Sequence, residues 1–461
     1  MDLKKTTNLS IEDVKTKPTE EIMNSSFDCV CGKTHTIPIK KLSIGEDIIG
    51  NIVQDIKNLG ISGTGGVIFD KRIENKVARN VIESLKKSGI ETIEKPMGDG
   101  VSLIKPEIRN SENVSKILKD RVNFLISIGS GVISDITKYA ATILSIPSIL
   151  IATAPSMNGY TSTLAAMTDR GIKKTMPISN LIAIYADINI LKDAPTEMVL
   201  SGFGDILSKA SCIADWKLSN LIKKSYFCPM SFYITDITEK RYMAIPEEIG
   251  KKSKKGIKEL TDGIMRSGLS MTIIGTSTPS SGSEHVISHY WDLLALIYGR
   301  KKLLHGTQVG VATPIAVRLF DFLSEYPIKK RINMEKLKNN YFDTEEILSF
   351  LKKKYGEYAN GLWEQLNKKY MNWNEKEKEL EYILDNWYDI WDNCYKFIRP
   401  ANEIENALEK SGAPKNYSEI DLSIDDAMDA IINGWVLRPR YTILDTLHDL
   451  GLSKEAAEKV L

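Results

Sequence analysis

Apolar residues recur along this chain in two rhythms. Between about residues 37 and 192, short apolar runs alternate with stretches of helical spacing. Gly65–Asp70 is an apolar run ending in an acid and is predicted to be a buried strand. Residues 75–88 carry helical spacing and stop at Gly89, 90–94 read as a strand, and 111–121 read as a helix. Residues 123–128 form a predicted strand that runs into Gly129-Ser130-Gly131, followed by a helix over 134–144 and strands over 148–153 and 181–186. Strands alternating with helices predict an α/β region whose parallel sheet has helices on both faces. After about Leu191 the apolar positions recur at helical spacing with few β-branched runs, which predicts an all-α C-terminal region. The expected organisation is a polar extension over 1–36, an α/β domain over 37–192 and a helical domain over 193–461. Residues 324–398, rich in Lys, Glu, Tyr and Trp, are expected to form long exposed helices. Trp387 and Trp391 stand four apart and are expected to face a core or a partner, not a cofactor. The Lys runs at 251–255 and 352–354 read as solvated faces.

Composition narrows the function classes. The 461 residues are 42% hydrophobic and 26% charged, ordinary for a globular protein. Lys+Arg 61 against Asp+Glu 60 leaves a formal charge of +1, which argues against a broad nucleic-acid or membrane-surface footprint. No run of about 18 apolar residues occurs, so no membrane span is expected. The N-terminal residues have no apolar signal core, and five cysteines make no disulfide framework. A reducing cytoplasm is the expected compartment. Cys29, Cys31 and His35 have a zinc-like look, but they supply at most three ligands with no second Cys pair, so an ordered surface loop is expected there.

Four segments carry candidate chemistry. Gly129, Ser130, Gly131, Val132, Ile133, Ser134 and Asp135 join a strand to a helix, where glycines let a ligand approach and the helix N-terminus offers free N–H groups suited to a pyrophosphate. The spacing is not G-x-G-x-x-G. Asp70, at a strand end, reads either as an acceptor for ribose hydroxyls, favouring NAD, or as a helix cap; Lys71 and Arg72 beside it weaken the first reading. Thr153, Ala154, Pro155, Ser156, Asn158 and Ser162 fall at the C-terminal end of the next strand, the end at which open α/β sheets bind ligands. Finally, three of the five histidines fall close together: His285 and His289 one turn apart, and His305 before Gly306. Upstream stands Asp205, in Gly202-Phe203-Gly204-Asp205, with Lys209 four residues on. A carboxylate and imidazoles without thiolates suit zinc, iron, nickel or cobalt.

These segments together resemble a known family. Gly129 to Asp135, Thr153 to Tyr160, Gly202 to Asp205, Ser281-Gly282-Ser283-Glu284-His285 and Leu304-His305-Gly306 look like the signature segments of sn-glycerol-1-phosphate dehydrogenase, most of all its bacterial, AraM-type branch. Cys31 to His35 and Arg440 to Asp445 are similar to its leading and trailing segments. The resemblance covers roughly 29–320 and 430–455. The wider superfamily includes iron-dependent alcohol dehydrogenases, glycerol dehydrogenase and dehydroquinate synthase.

The resemblance implies a dehydroquinate synthase-like fold, with an α/β dinucleotide-binding domain, a helical domain and the metal in the cleft between. It implies one divalent metal, nickel or zinc with iron as an alternative, on Asp205, His285 and His305. It implies NAD(H) or NADP(H) on Asp70, Gly129 to Asp135, Thr153 to Ser156 and Ser162, and substrate on Asn158, Asp205 and His289. Asp205 and His289 would be catalytic, and Lys209, Arg438 or Arg440 would meet a phosphate. The implied reaction is reversible reduction of dihydroxyacetone phosphate to sn-glycerol 1-phosphate by a homodimer. An unphosphorylated polyol such as glycerol, or a dehydroquinate synthase-like lyase reaction, is the alternative. Asn158 stands where the family has Asp; it keeps the shape and an acceptor but loses the charge.

Overall fold

The computed structural model describes residues 6–169, 172–179 and 181–461. Residues 1–5 of the expected extension lie outside them. Near the N-terminus, β1 (Thr7–Asn8) runs parallel to β2 (Ser25–Asp28), which pairs antiparallel with β3 (Thr34–Ile37). β4 (Lys41–Gly45), β5 (Gly65–Asp70), β6 (Thr92–Met97), β7 (Phe124–Gly129) and β8 (Ser148–Ala152) follow. An antiparallel ribbon of β9 (Leu164–Asp169) and β10 (Ile172–Pro177) comes next, and β11 (Leu181–Asp187) closes the α/β region. Among the described residues the main sheet has six strands, all parallel, in the order β4-β11-β8-β7-β5-β6.

The residues that make these strands explain why the sheet is buried on both sides. Every residue of β5, β7 and β8 is buried. Alternate residues Val67, Phe69, Ile126, Ile128, Ile149, Ile151, Ala183 and Tyr185 point to one face, where they meet Ile52, Ile56, Val81, Ile82 and Leu85 from flanking helices. The strands and helices read from the sequence in this region recur in the structure, with β6 displaced two to three residues from the predicted 90–94. The ribbon β9–β10 was not anticipated, because its Lys- and Thr-rich pattern carries little apolar alternation.

The helices that matter for the site are α1 (Gly131–Leu144), α2 (Thr196–Leu207), α3 (Lys209–Lys223), α4 (Met230–Met243), α5 (Lys254–Ile274), α6 (Ser283–Ile297) and α7 (His305–Glu325). Cα proximity divides the chain into two compact units. One comprises Met1–Ile206 and Cys228–Ser277, the other Leu207–Phe227 and Thr278–Leu461. The division drawn at 192/193 separates element types, whereas compactness groups the helices of 228–277 with the sheet.

Two expectations need correction. The segment read as a polar extension is built into the first unit: Val14, Ile22, Met23 and Phe27 are buried. Its carbonyls are gathered by the buried guanidinium of Arg266, which donates to Val14 O at 3.0 Å and to Lys17 O, with Thr19 Oγ1 at 2.9 Å. Its apolar residues are too sparse in the sequence to show a rhythm. Residues 324–398, expected as long exposed helices, fold as short ones, of which Thr344–Tyr355 and Trp373–Asp385 open with capping boxes at Asp343 and Asn372. Leu351, Leu366, Leu380 and Ile383 are buried, as are Trp387 and Trp391. A network of buried charges ties this segment to the chain's end: Lys369 to Asp445 at 2.5 Å, Lys376 to Glu379 and Asp449 at 2.8 Å each, and Lys223 to Glu379.

Candidate active site and metal centre

The three predicted cofactor segments leave the C-terminal ends of neighbouring strands. After β5 the chain moves outward to β6, then crosses back to β7 on the other side of β5. The β5/β7 junction is therefore the point where the winding reverses, the place where such sheets bind ligands. Asp70 ends β5, Gly129 ends β7, and Thr153 follows the last residue of β8. Ser130 is extended and makes no side-chain cap, so the first-turn amides of α1 are left to a ligand. A Cβ on Gly131 would lie 2.8 Å from Met157 Cγ, so a larger residue there would have to displace that side chain. Val132 is half-buried, while Ile133 and Ser134 are buried, the Ser134 hydroxyl without a hydrogen-bond partner among the described residues.

Two of the predicted cofactor residues are otherwise engaged. Asp135 pairs with Lys138 at 2.8 Å and accepts the Ala166 amide at 3.2 Å. Burial raises its pKa, and Lys138 opposes that rise. Lys138 in turn donates to Gly159 O and Leu164 O, each at 2.9 Å, so the pair holds the loop that follows β8. Asp70 caps the next turn through Arg72 N at 2.9 Å and accepts both contacts of Arg72 Nε at 3.0 Å. The capping reading of Asp70 is thus realised, with its charge balanced by Arg72.

The loop 153–162 is anchored at each end. Tyr160 donates to Ala154 O at 2.6 Å, Thr161 to Met265 O at 2.6 Å, and Ser162 Oγ accepts Leu164 N at 3.1 Å. Ser156 O accepts from Ser201 at 3.4 Å. Helix α2 lies against this loop so closely that a Cβ on Gly202 would fall 1.7 Å from Pro155 O. One turn further, Asp205 Oδ2 accepts the Asn158 amide at 2.8 Å. Asn158 is buried, and its side-chain nitrogen has no hydrogen-bond partner among the described residues. Ser208 interrupts the helix, so Asp205 and Lys209 belong to successive helices, not to one face as the spacing suggested.

His285 and His305, both in the second unit, bring their ring centroids to 5.1 Å, while Asp205 belongs to the first. His285 and His289 lie on α6, and His305 opens α7. The His289 ring stacks on that of His305 with centroids 5.2 Å apart, and stands 6.1 Å from that of His285. Glu284, buried, approaches His285 Nδ1 at 2.8 Å. A proton on Nδ1 donated to that carboxylate leaves Nε2 as the ligand lone pair, the usual outer support of a metal-bound imidazole. Glu284 also accepts Ser211 Oγ and Gly282 N, each at 2.6 Å. Burial works to raise its pKa, but these donors and His285 hold it below the usual carboxylate value. Beneath it, Asp215 receives the amides of Ser283 and Ile443 at 2.6 Å each, and burial, then Glu284, push it up to about 7. Two imidazoles, one of them already oriented, are donors suited to a borderline divalent cation.

On the far side of His289, Arg438 donates to Nδ1 at 3.0 Å, so Nε2 carries the proton. Burial, then Arg440, lower Arg438 to about 10. Arg440 donates to Ser281 O. The sequence reading missed Glu284, Asp215 and the Arg438–His289 pair. Only Glu284 had a local signal, as the one acid adjoining a ligand histidine. No helix among the described residues is long and apolar enough to cross a membrane.

Comparison with known proteins agrees with this geometry. Residues 43–195 match the family model for iron-containing alcohol dehydrogenase. A probable glycerol dehydrogenase from Sinorhizobium meliloti shares the fold at a TM-score of 0.57 and 12% identity, over 91% of this chain and 95% of that one. Glycerol-1-phosphate dehydrogenase (NAD(P)+) of Halalkalibacterium halodurans is 34% identical over 64% of this chain and 74% of its own length. That of Geobacillus stearothermophilus is 30% identical over 72% of this chain and 85% of its own. At this identity and coverage the chain belongs to the glycerol-1-phosphate dehydrogenase family.

Proposed function

We propose that this protein catalyses the reversible, NAD(P)H-dependent reduction of dihydroxyacetone phosphate to sn-glycerol 1-phosphate at a divalent-metal centre held by Asp205, His285 and His305. The reading is carried by the chain's membership of this family, in which His285, backed by Glu284, and His305 stand with ring centroids 5.1 Å apart. In this reading the cofactor is bound by the α/β region 37–192, and the metal and substrate by residues of 193–461 together with Asn158.

When bound, the nicotinamide supplies the hydride and the cation a Lewis acid for the substrate C2 oxygen. The first-turn amides of α1 would receive the pyrophosphate, Gly131 to Asp135 would line the phosphates and the nicotinamide side, and Thr153, Ala154, Pro155, Ser156 and Ser162 would complete the cofactor site. Asp135 acts through Lys138, positioning the loop. Asp70, neutralised by Arg72, faces the adenosine ribose without repelling a 2′-phosphate, so both NADH and NADPH serve. Asn158 offers its partnerless amide nitrogen to a substrate hydroxyl. His289, held neutral with its proton on Nε2, donates to a substrate oxygen and relays that proton. Arg438, a cation stripped of water beside a second guanidinium, meets the substrate phosphate. The metal is nickel or zinc, with iron compatible with the same donors. The assembly is a homodimer in the cytoplasm.

The test is oxidation of NADH and NADPH by metal-stripped protein resupplied with nickel, zinc or iron. Dihydroxyacetone phosphate and dihydroxyacetone are compared, and the product's chirality is determined. Turnover of the phosphate ester to the sn-1 product is expected. Preference for the unphosphorylated ketone, or the sn-3 product, refutes the reading.

A further inference from the structure

A second constellation of metal-ligand residues lies within the first unit, among residues that the dehydrogenase reading does not use. Cys29, Cys31, His35 and Cys228 each bring one ligand atom within 4.8 Å of the others. The sequence shows three of them, and was read as a surface loop for want of a fourth. The fold supplies it from a position 193 residues beyond His35, just ahead of α4. The loop does lie at the surface, with Val30, Gly32, Lys33 and Thr34 exposed, but its candidate ligands turn inward: Cys29, His35 and Cys228 are buried and Cys31 half-buried.

The distances fit a tetrahedron. Zn–S and Zn–N bonds of about 2.3 and 2.0–2.1 Å at the tetrahedral angle place S···S edges at about 3.8 Å and S···N edges at about 3.6 Å. Here Cys29 Sγ and Cys228 Sγ are 3.5 Å apart, Cys228 Sγ and His35 Nε2 3.4 Å, and Cys31 Sγ and His35 Nε2 3.3 Å. Three edges are thus within about half an ångström of the ideal values.

The surroundings are those of a ligand set. His35 Nδ1 meets Ile273 O at 2.7 Å, which fixes the proton on Nδ1 and turns the Nε2 lone pair to the sulfurs. The amide of Cys31 donates to the Cys29 sulfur, and that of Met230 to the Cys228 sulfur, both from two residues on. The β2–β3 turn reverses at Gly32, whose φ of +82° a side chain rarely adopts, and Gly32 N donates to Cys29 O at 2.9 Å.

We infer that Cys29, Cys31, His35 and Cys228 form a structural zinc site that fastens the β2–β3 hairpin to the start of α4 and the end of α5. Four protein ligands leave no open position, so the site is structural and not catalytic. The hairpin is short and carries few apolar residues, and a cation tie would fix what its packing cannot.

The test uses full-length protein grown with zinc and purified under reductant without chelator. In His305→Ala, which empties the catalytic centre, one zinc per chain is expected by mass spectrometry. The double variant His305→Ala/Cys31→Ser should hold none. The cobalt-grown form of His305→Ala should show thiolate-to-cobalt charge-transfer absorption in the near ultraviolet, which the Asp-His-His centre cannot produce. Should the Cys31 variant fail to fold, titration of folded protein with a mercurial decides, by release of one zinc in step with loss of three thiols. Absence of zinc from folded His305→Ala, a cobalt form without that absorption, or a Cys29–Cys228 disulfide in freshly purified protein overturns the assignment.

Discussion

Gly202→Ala tests whether the approach of α2 to the loop after β8 is what positions Asp205, the proposed metal ligand. The added Cβ would lie 1.7 Å from Pro155 O and 2.7 Å from Pro155 C. A relaxed carbon–oxygen contact needs about 3.3 Å, so roughly 1.6 Å must be recovered by moving backbone on one side or the other. Neither side yields by a rotamer change, since one atom is in a hydrogen-bonded helix and the other belongs to a proline of fixed φ. Overpacking of this kind costs about 1–3 kcal/mol, partly offset by about 1 kcal/mol from the better helix propensity of Ala. The net effect on stability is therefore modest, about 0–2 kcal/mol. Function should suffer more. Asp205 is one turn along the same helix and accepts the Asn158 amide at 2.8 Å, a bond that a shift of this size breaks. Misplacement by about 1 Å can cost about 100-fold in rate. The expected result is a kcat/KM reduced by about 100-fold or more, with a melting temperature lowered by only a few degrees. Gly50→Ala, where a Cβ meets nothing within 4 Å, is the control and should behave as wild type. Wild-type kinetics and melting in Gly202→Ala would refute the argument.

Glu284→Gln removes the carboxylate that orients His285; metal affinity, titrated by competition with a chromophoric chelator, should fall about 10- to 100-fold, and an unchanged affinity would show that His285 needs no such support. His305→Ala should abolish metal retention at the catalytic centre and turnover while circular dichroism stays native, and wild-type turnover in that variant would remove His305 from the ligand set. Asn158→Asp restores the acid typical of the family, so turnover should be preserved or raised, whereas complete loss would mean a site rebuilt for another substrate. His448, stacked on Trp435 at 3.6 Å, is lowered to about 4 by burial, with Lys376 and Lys369 adding to the shift against the pull of Asp449. The unfolded chain takes up this proton near pH 6.5 and the folded chain only near 4, so the contribution is full above pH 6.5 and is lost on acidification through that window. Its size is at most about 3 kcal/mol. Urea unfolding at pH 7 and pH 4.5 should show His448→Phe less acid-sensitive than the parent, and an equal loss in both would count against the shift.

The α/β region was legible because its signal is local. Strands buried on both faces must be continuously apolar, and β5, β7, β8 and β11 are, so the residues themselves mark where they begin and end. The site segments were legible for the same reason, each being a short run in which glycine, histidine or a lone acid breaks an apolar pattern. Partnership was not legible. Asp70 and Asp135 look alike in the sequence as acids at cofactor turns, yet Arg72 engages one and Lys138 the other. The residues of 324–398 look solvated because their charges are numerous. Only the fold shows Lys369 and Lys376 matched inside by Asp445, Asp449 and Glu379, and a buried charge is tolerable only when so matched.

The sequence by itself determined the strand-and-helix order and the family, and it singled out Asp205, His285 and His305 as candidate ligands. Tertiary structure alone decided which side chains support them, and it alone brought Cys228 to Cys29, Cys31 and His35. Periodicity records whether a residue faces water or core, an average over all its neighbours. A hydrogen bond or a metal ligand depends on one neighbour at about 3 Å, and chain order does not encode that neighbour when it lies hundreds of residues away.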